Sequence, residues 1–211
     1  QLTTPLVLHS SLDAGMIGIR FQPWGMAAFI SDSMQSLTDA RVPADNLFAD
    51  VDRLTEEVVK SANDAERIAA CNRYLFRLLD SDRENLWVRC ALERIVRAHG
   101  SVSVESLATL AGRSRRSLEL GFQSEVGTSP KMYCRIIRFR HILDAVSNDP
   151  SANWVHVALD SGFFDHSHLI RDFRRFAGDS PTSFLADQTA FSQTLNPVSY
   201  THLTLPTSGV V

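Results

Sequence analysis

The sequence predicts a mainly α-helical chain built on two tandem helix-turn-helix units, with a mixed β/α segment ahead of them. Three observations carry that prediction. First, a degenerate repeat of about 50 residues pairs Ala108 with Ala158 and Gly112 with Gly162. After one extra residue in the second turn it pairs Leu118 with Leu169, Phe122 with Phe173 and Pro130 with Pro181. Second, each copy supplies what a helix-turn-helix needs: a small residue for close helix packing, a glycine for the turn, and two apolar anchors at i and i+4 on the following helix. Third, each copy closes on Gly-x-Ser-Pro, Gly127–Pro130 and Gly178–Pro181. There the proline opens the next helix, where its missing N–H is harmless.

Composition narrows the class. A chain of 211 residues suits one or two domains with a real core, and 44% hydrophobic residues is ordinary for a globular protein. No apolar run approaches the ~20 residues that span a bilayer, so no membrane partner is expected. No basic-then-apolar leader is found, so the cytoplasm is the expected compartment. Cys71, Cys90 and Cys134 are far apart and form no Cys-x-x-Cys pair. They read as buried free thiols rather than a zinc site. Nucleophile elbows, phosphate loops and zinc-protease motifs are absent from the sequence, so neither an enzyme nor a cofactor is expected. His166 and His168 are two apart, do not share a helix face and have no third partner at matching spacing, so no metal is expected.

Net charge is −3, but its distribution matters more. Residues 1–99 hold 11 Lys/Arg against 14 Asp/Glu, and residues 100–190 hold 10 of each. The basic groups of the second half cluster at Arg113, Arg115 and Arg116, at Lys131, Arg135 and Arg138, and at Arg171, Arg174 and Arg175. Basic clusters on helix-turn-helix units are the footprint of a nucleic-acid surface.

In chain order, Leu6–His9 and Met16–Phe21 read as short strands broken by Gly15, Gly18 and Pro23. Asp45 is placed to cap a helix reaching about Lys60, with Leu47, Val51, Leu54 and Val58 on one face. A second helix is predicted from about Asp64 to Leu79, with Ile68, Cys71, Leu75, Leu78 and Leu79 inward. Polar Asp80–Glu84 is the best domain boundary. A helix over Leu86–His99 follows, with Val88, Leu92, Ile95 and Val96 on one stripe and Gly100 as its stop. The first helix-turn-helix is placed at about 103–126 and the second at about 154–177. Between them a helix from Ser129 to about Ser147 carries Tyr133, Ile136, Ile137 and Leu143 toward the core. Lys131, Arg135 and Arg138 lie along a stripe that is either a solvated face or a phosphate contact. Asn148–Asn153 is a loop, and a last helix runs from Ser180 to about Ala190.

Residues 86–190 resemble the C-terminal DNA-binding domain of the AraC/XylS family of bacterial transcription regulators. The resemblance rests on Ala158, Gly162-Phe163, Leu169, Arg171-x-Phe173 and Gly178-x-Ser180-Pro181. The first copy departs at Gly121, where that family more usually has Arg or Lys. Glycine inside a helix costs about 1 kcal/mol. The resemblance implies a seven-helix, homeodomain-like domain whose two units, joined by one long helix, read adjacent major-groove segments of promoter DNA. It also implies RNA polymerase as a partner if the protein is an activator.

Base-reading residues are expected near the N-terminal ends of the two recognition helices: Arg115, Arg116, Glu119 and Gln123 in the first, His166, Ser167, Ile170 and Arg171 in the second. Arg can pair bidentately with guanine, Glu can accept from cytosine, and Ile170 can meet a thymine methyl. Arg174 and Arg175, with Lys131 and Arg135 on the connecting helix, are expected on phosphates.

Gly18–Gly25, Leu37–Asp39 and Val42-Pro43 resemble the later part of the sensor domain that precedes some AraC-type DNA-binding domains. That resemblance implies a partial β-barrel and helices over 1–84, with most of the barrel upstream of Gln1. It implies a small-molecule effector at this domain, and the helices at 45–60 and 64–79 either pair with a second subunit in a homodimer or only pack on the barrel. Trp24, Phe21 and Phe29 fit either a pocket or a core. Residues 85–190 then form the DNA-binding domain and 191–211 a disordered tail. Residues 198–211 resemble the translation of a sequencing adapter and are expected to be an artefact. The alternative expectation is a sensing or protein-interaction module whose DNA-binding half no longer functions.

Overall fold

A computed structural model describes residues 3–4, 17–79, 85–148, 154–160, 162–163 and 166–186. Its α-helices are α1 (Val51–Lys60), α2 (Asp64–Leu78), α3 (Leu86–Arg97), α4 (Val104–Leu110), α5 (Arg115–Val126), α6 (Pro130–Asn148), α7 (Trp154–Asp160), α8 (His166–Ala177) and α9 (Pro181–Ala186). Short 3-10 turns at Met26–Ala28, Met34–Leu37 and Ala44–Asn46 precede α1.

The partial β-barrel is not found: among the described residues there is no strand, and 17–21 run irregularly. Ile17 and Ile19 alternate as a strand should, yet both are exposed. A lone β-like stretch has no ladder partner for its N–H and C=O groups, so alternation alone does not hold it extended. The stretch Leu6–His9 lies outside the described residues, as do 80–84 and 187–211.

Asp45 does not cap α1. It sits inside the third 3-10 turn, and α1 begins only after Asp50, whose φ of 56° turns the chain. Helices α1 and α2 form a hairpin with a small core of Leu54, Ala70, Cys71 and Tyr74. The Tyr74 hydroxyl donates to the Ala49 carbonyl at 2.6 Å and ties the hairpin to its entry turn. Asn63 caps α2 by accepting from the Glu66 N–H, while Glu66 reaches back to the Ala62 N–H.

Two larger cores follow. Val88, Ala91, Leu92 and Ile95 of α3 meet Leu107, Leu118, Phe122 and Val126 of the first unit. Ala158, Phe163, Leu169, Phe173 and Phe184 fill the second. Helix α6 serves both. Tyr133 and Cys134 at its start join the first core, and Phe139, Ile142, Leu143 and Val146 join the second. Ile136 and Ile137, expected inward, are only half-buried.

Two local expectations at α3 change. Val96 is exposed, because the buried stripe runs through Val88, Ala91, Leu92 and Ile95. Cys90 is exposed on the opposite face, while Cys71 and Cys134 are buried.

Candidate nucleic-acid interface

The repeat in sequence is a repeat in hydrogen bonding. In the first unit Gly112 donates to the Thr109 carbonyl at 3.1 Å and Arg113 to the Ala108 carbonyl at 3.0 Å. Fifty residues on, Gly162 donates to Leu159 at 3.0 Å and Phe163 to Ala158 at 3.2 Å. Both glycines are left-handed, with φ of 59° and 82°, which closes each first helix with paired bonds to its last carbonyls. The caps repeat as well. Ser129 Oγ accepts from the Met132 N–H and Ser180 Oγ from the Ser183 N–H, both at 3.2 Å. Leu118 and Phe122 are fully buried, and Leu169 and Phe173 occupy the same places in the second unit. Each second helix is therefore clamped by its apolar face, leaving its polar face outward.

That outward face carries most of the expected base readers. Arg116, Ser167 and Arg171 are exposed, as are Arg174 and Arg175, while Glu119, Gln123 and Ile170 are half-buried. The His166 side chain lies outside the described residues. Ser114 caps α5 by accepting from the Ser117 N–H at 3.1 Å, so Arg115 and Arg116 stand in the first turn. Arg115 donates to Glu105 at 3.0 Å and to Glu119 at 3.2 Å. These pairs are exposed and weak, so the guanidinium can exchange one anion for another.

Gly121 has a packing reason. The Trp87 indole of α3 lies across α5 so closely that a Cβ at Gly121 would fall 2.8 Å from its Cζ2 and nearer still to Cη2. Arg113 sits over the same ring, 5.5 Å from its centroid. Helix propensity alone would favour alanine here by about 1 kcal/mol. We expect Gly121→Ala instead to destabilise the fold by about 1–2 kcal/mol through overpacking. In a Trp87→Leu background the same change should become stabilising. Urea unfolding of the four-member cycle checks this; additive effects would show that the ring does not set the cost.

The stripe on α6 divides. Lys131 is exposed. Arg135 is turned inward and holds Asp172 of α8 with two nitrogens, its Nε lying 3.0 and 3.2 Å from the two carboxylate oxygens. Arg138 donates to the Gly162 carbonyl at 3.0 Å and covers the Phe163 ring at 5.3 Å. Of the two readings open for that stripe, neither a solvated face nor a phosphate contact describes what Arg135 and Arg138 do in the free protein. Both brace the second unit against α6.

Between α6 and α8, Lys131, Arg135, His168 and Arg171 line a cleft of about 320 Å³. It joins basic residues from two helices, beside the exposed Arg171 of α8. His168 Nε2 lies 3.8 Å from the Asp172 carboxylate. The sequence offered no pointer to Trp87 or Asp172, because each acts through a partner on another helix.

Burial sets the remaining chemistry. It pushes the Tyr133 hydroxyl up to about 12 and the Cys134 thiol up to about 11, so both stay protonated in the first core. Burial also lowers His141, helped by His99, whose ring stacks on it at 3.9 Å. Among the described residues, no group of three or more His, Cys, Asp or Glu is placed to hold a metal ion. No described helix is long and apolar enough to cross a membrane.

Comparison with known proteins agrees with this geometry. A family profile described as a helix-turn-helix domain matches residues 107–187. A XylDLEGF operon transcriptional activator of Pseudomonas putida is 39% identical over 88 residues, covering 40% of this chain and 27% of that protein. XylDLEGF operon transcriptional activator 2 of the same organism is 35% identical over 89 residues, 41% of this chain and 56% of its own. A probable thc operon regulatory protein of Rhodococcus erythropolis is 31% identical over 101 residues, 46% of this chain and 30% of its own. The chain thus spans about a quarter of the length of the first of these curated relatives. No solved structure gives a significant match. Two hydrogen-bonded units in register, a matching profile and regulators as relatives together identify residues 107–187 as a helix-turn-helix domain of the AraC/XylS type.

Proposed function

We propose that this protein is a transcription regulator that reads two adjacent major-groove segments of promoter DNA, one with α5 and one with α8. The observation that carries this is the bond-for-bond equivalence of the two units, 50 residues apart, joined by a single helix. A helix of 19 residues is about 28 Å long, close to the ~34 Å of one DNA turn. The readers are Arg115, Arg116, Glu119 and Gln123 in the first unit and His166, Ser167, Ile170 and Arg171 in the second. Arg174, Arg175 and Lys131 meet phosphates. In this reading Arg135 serves the interface by holding α8. The protein works in the cytoplasm, with RNA polymerase as partner if it activates. An effector and a second subunit act through the region ahead of residue 85. The rival reading, a module whose DNA-binding half has lost function, leans on Gly121 and on the neutral net charge of residues 100–190; the Trp87 packing accounts for the first.

The test is a titration of the full chain against DNA upstream of its own and neighbouring genes, and against scrambled DNA, at two salt concentrations. Tight binding that prefers one segment and weakens steeply with salt supports the proposal. Binding that ignores sequence at both salts defeats it. Arg171→Ala should cost about 1–3 kcal/mol on the preferred segment and much less on scrambled DNA. Equal losses on both would make Arg171 a phosphate contact.

A further inference from the structure

The two recognition helices are held by different means. Helix α8 is braced by Arg135 of α6, and the turn before it by Arg138. Helix α5 is gripped from the N-terminal side, at the end away from its base-reading turn. The 3-10 turns Met26–Ala28 and Met34–Leu37 both pack on α5. Phe21, Met26, Met34 and Leu37 line an open cleft of about 310 Å³ that Val126, in the last turn of α5, also lines. Beside it, the Thr38 hydroxyl donates to the carbonyl of Gly127, the residue that ends the helix, and shares its proton with the Met34 carbonyl at 3.2 Å. The approach is backbone-close. A Cβ at Gly127 would fall 2.5 Å from the Met34 carbonyl oxygen and nearer to Thr38 Oγ1.

The next residue faces upstream. Asp39 accepts from the Thr3 N–H at 2.6 Å, from the Thr3 hydroxyl, and from the Thr4 hydroxyl at 3.4 Å. Burial would raise its carboxyl, but these bonds outweigh it and hold the group below its ordinary value. Consecutive residues 38 and 39 therefore tie the start of the chain to the end of the first recognition helix.

We infer that Thr38 is a positioning residue for α5: its hydroxyl on Gly127 sets the angle at which the first unit meets DNA, and it couples the upstream segment to that unit and not to the second. The inference rests on the DNA-reading proposal for its functional half. The grip itself can be measured without DNA.

The experiment uses the full chain as wild type, Thr38→Val and Thr38→Ser. Valine keeps the shape and removes the hydroxyl, and serine keeps the hydroxyl. Amide exchange of the free protein is read first. Thr38→Val should speed exchange of the last turn of α5, Phe122–Gly127, about tenfold, the change one hydrogen bond supports. Thr38→Ser should stay near wild type, and α8 should not change. Unchanged exchange in α5, equal acceleration in α5 and α8, or a serine variant as fast as valine would each overturn the inference. Binding is then read on the preferred DNA with either half scrambled. Thr38→Val should lose about tenfold in discrimination at the first unit's half and none at the second's. Equal losses at both halves, in a wild type that discriminates, sink the inference alone. A wild type that ignores sequence sinks the DNA-reading proposal, and the specificity role of Thr38 with it.

Discussion

Replacing Asp172 with alanine is expected to destabilise the protein by about 3 kcal/mol, the largest single effect in the second unit. The carboxylate has no exposed surface, and Arg135 grips it with Nε and Nη2. Removing one member of a buried pair leaves the other desolvated without its partner, which typically costs about 3–5 kcal/mol. The lower end applies because the Arg135 side chain keeps 21% of its surface and can recruit water. Asp172→Asn retains an acceptor and the shape, so roughly half the loss is expected. For a chain of this size, 3 kcal/mol corresponds to a melting temperature lower by about 6–12 °C. Thermal and urea unfolding of both variants check this. An alanine variant as stable as wild type would mean that the ion pair does not hold α8.

Gly100→Ala is expected to cost about 3 kcal/mol for an unrelated reason. Gly100 follows His99 at the end of α3, with φ values of 78° and 49°. Its N–H returns to the Ile95 carbonyl at 2.9 Å, and His99 returns to Val96 at 3.0 Å. The predicted stop at Gly100 is thus a two-residue turn in which His99 takes the first left-handed position. An added methyl would fall 2.7 Å from Arg138 Cγ, 3.0 Å from the Arg138 nitrogen, and closer still to the Cys134 carbonyl oxygen. Two of these are backbone atoms of α6 and cannot swing aside. Left-handed strain of about 1 kcal/mol adds to an overpacking cost of about 1–3 kcal/mol. Gly112→Ala is the internal control. It has a comparable φ of 59° but open space around the new methyl, so only the strain is expected, about 1 kcal/mol. Denaturant midpoints that fall equally for both variants would show that contact with α6 is not what requires glycine at residue 100.

Much of this fold is legible in the sequence because its information is local. The 3.6-residue period marks α2 to α6 and α8, and paired glycines and Ser-Pro steps mark the turns and starts. Arg116, Arg171, Arg174 and Arg175 stand on the polar side of helices whose buried anchors are evident, so their exposure follows. What is not legible depends on a second helix. Arg135 and Arg138 share a stripe with Lys131, and nothing nearby says that two of the three turn inward. The deciding Asp172 lies 37 residues on. Gly121 looks like a defect until the Trp87 ring is seen in its place. The strand-like alternation over 17–21 fails for the converse reason: a local pattern with no partner among the described residues to complete it. Thr38, which the sequence marks only as part of a stretch resembling a sensor domain, meets the carbonyl of Gly127 89 residues on.

Helix α6 belongs to two cores at once, and that makes it a ruler. Its first turns are built into one unit and its later turns into the other, with no hinge between Tyr133 and Val146. Neither unit can swivel without tearing side chains from a packed interior. On DNA read as proposed, one extra base pair between the two contacted segments would turn one of them by about 35° around the duplex and shift it by about 3.4 Å. A flexible tether would absorb that change. A shared helix cannot, so the distance between the two words of the operator is itself part of what this protein reads.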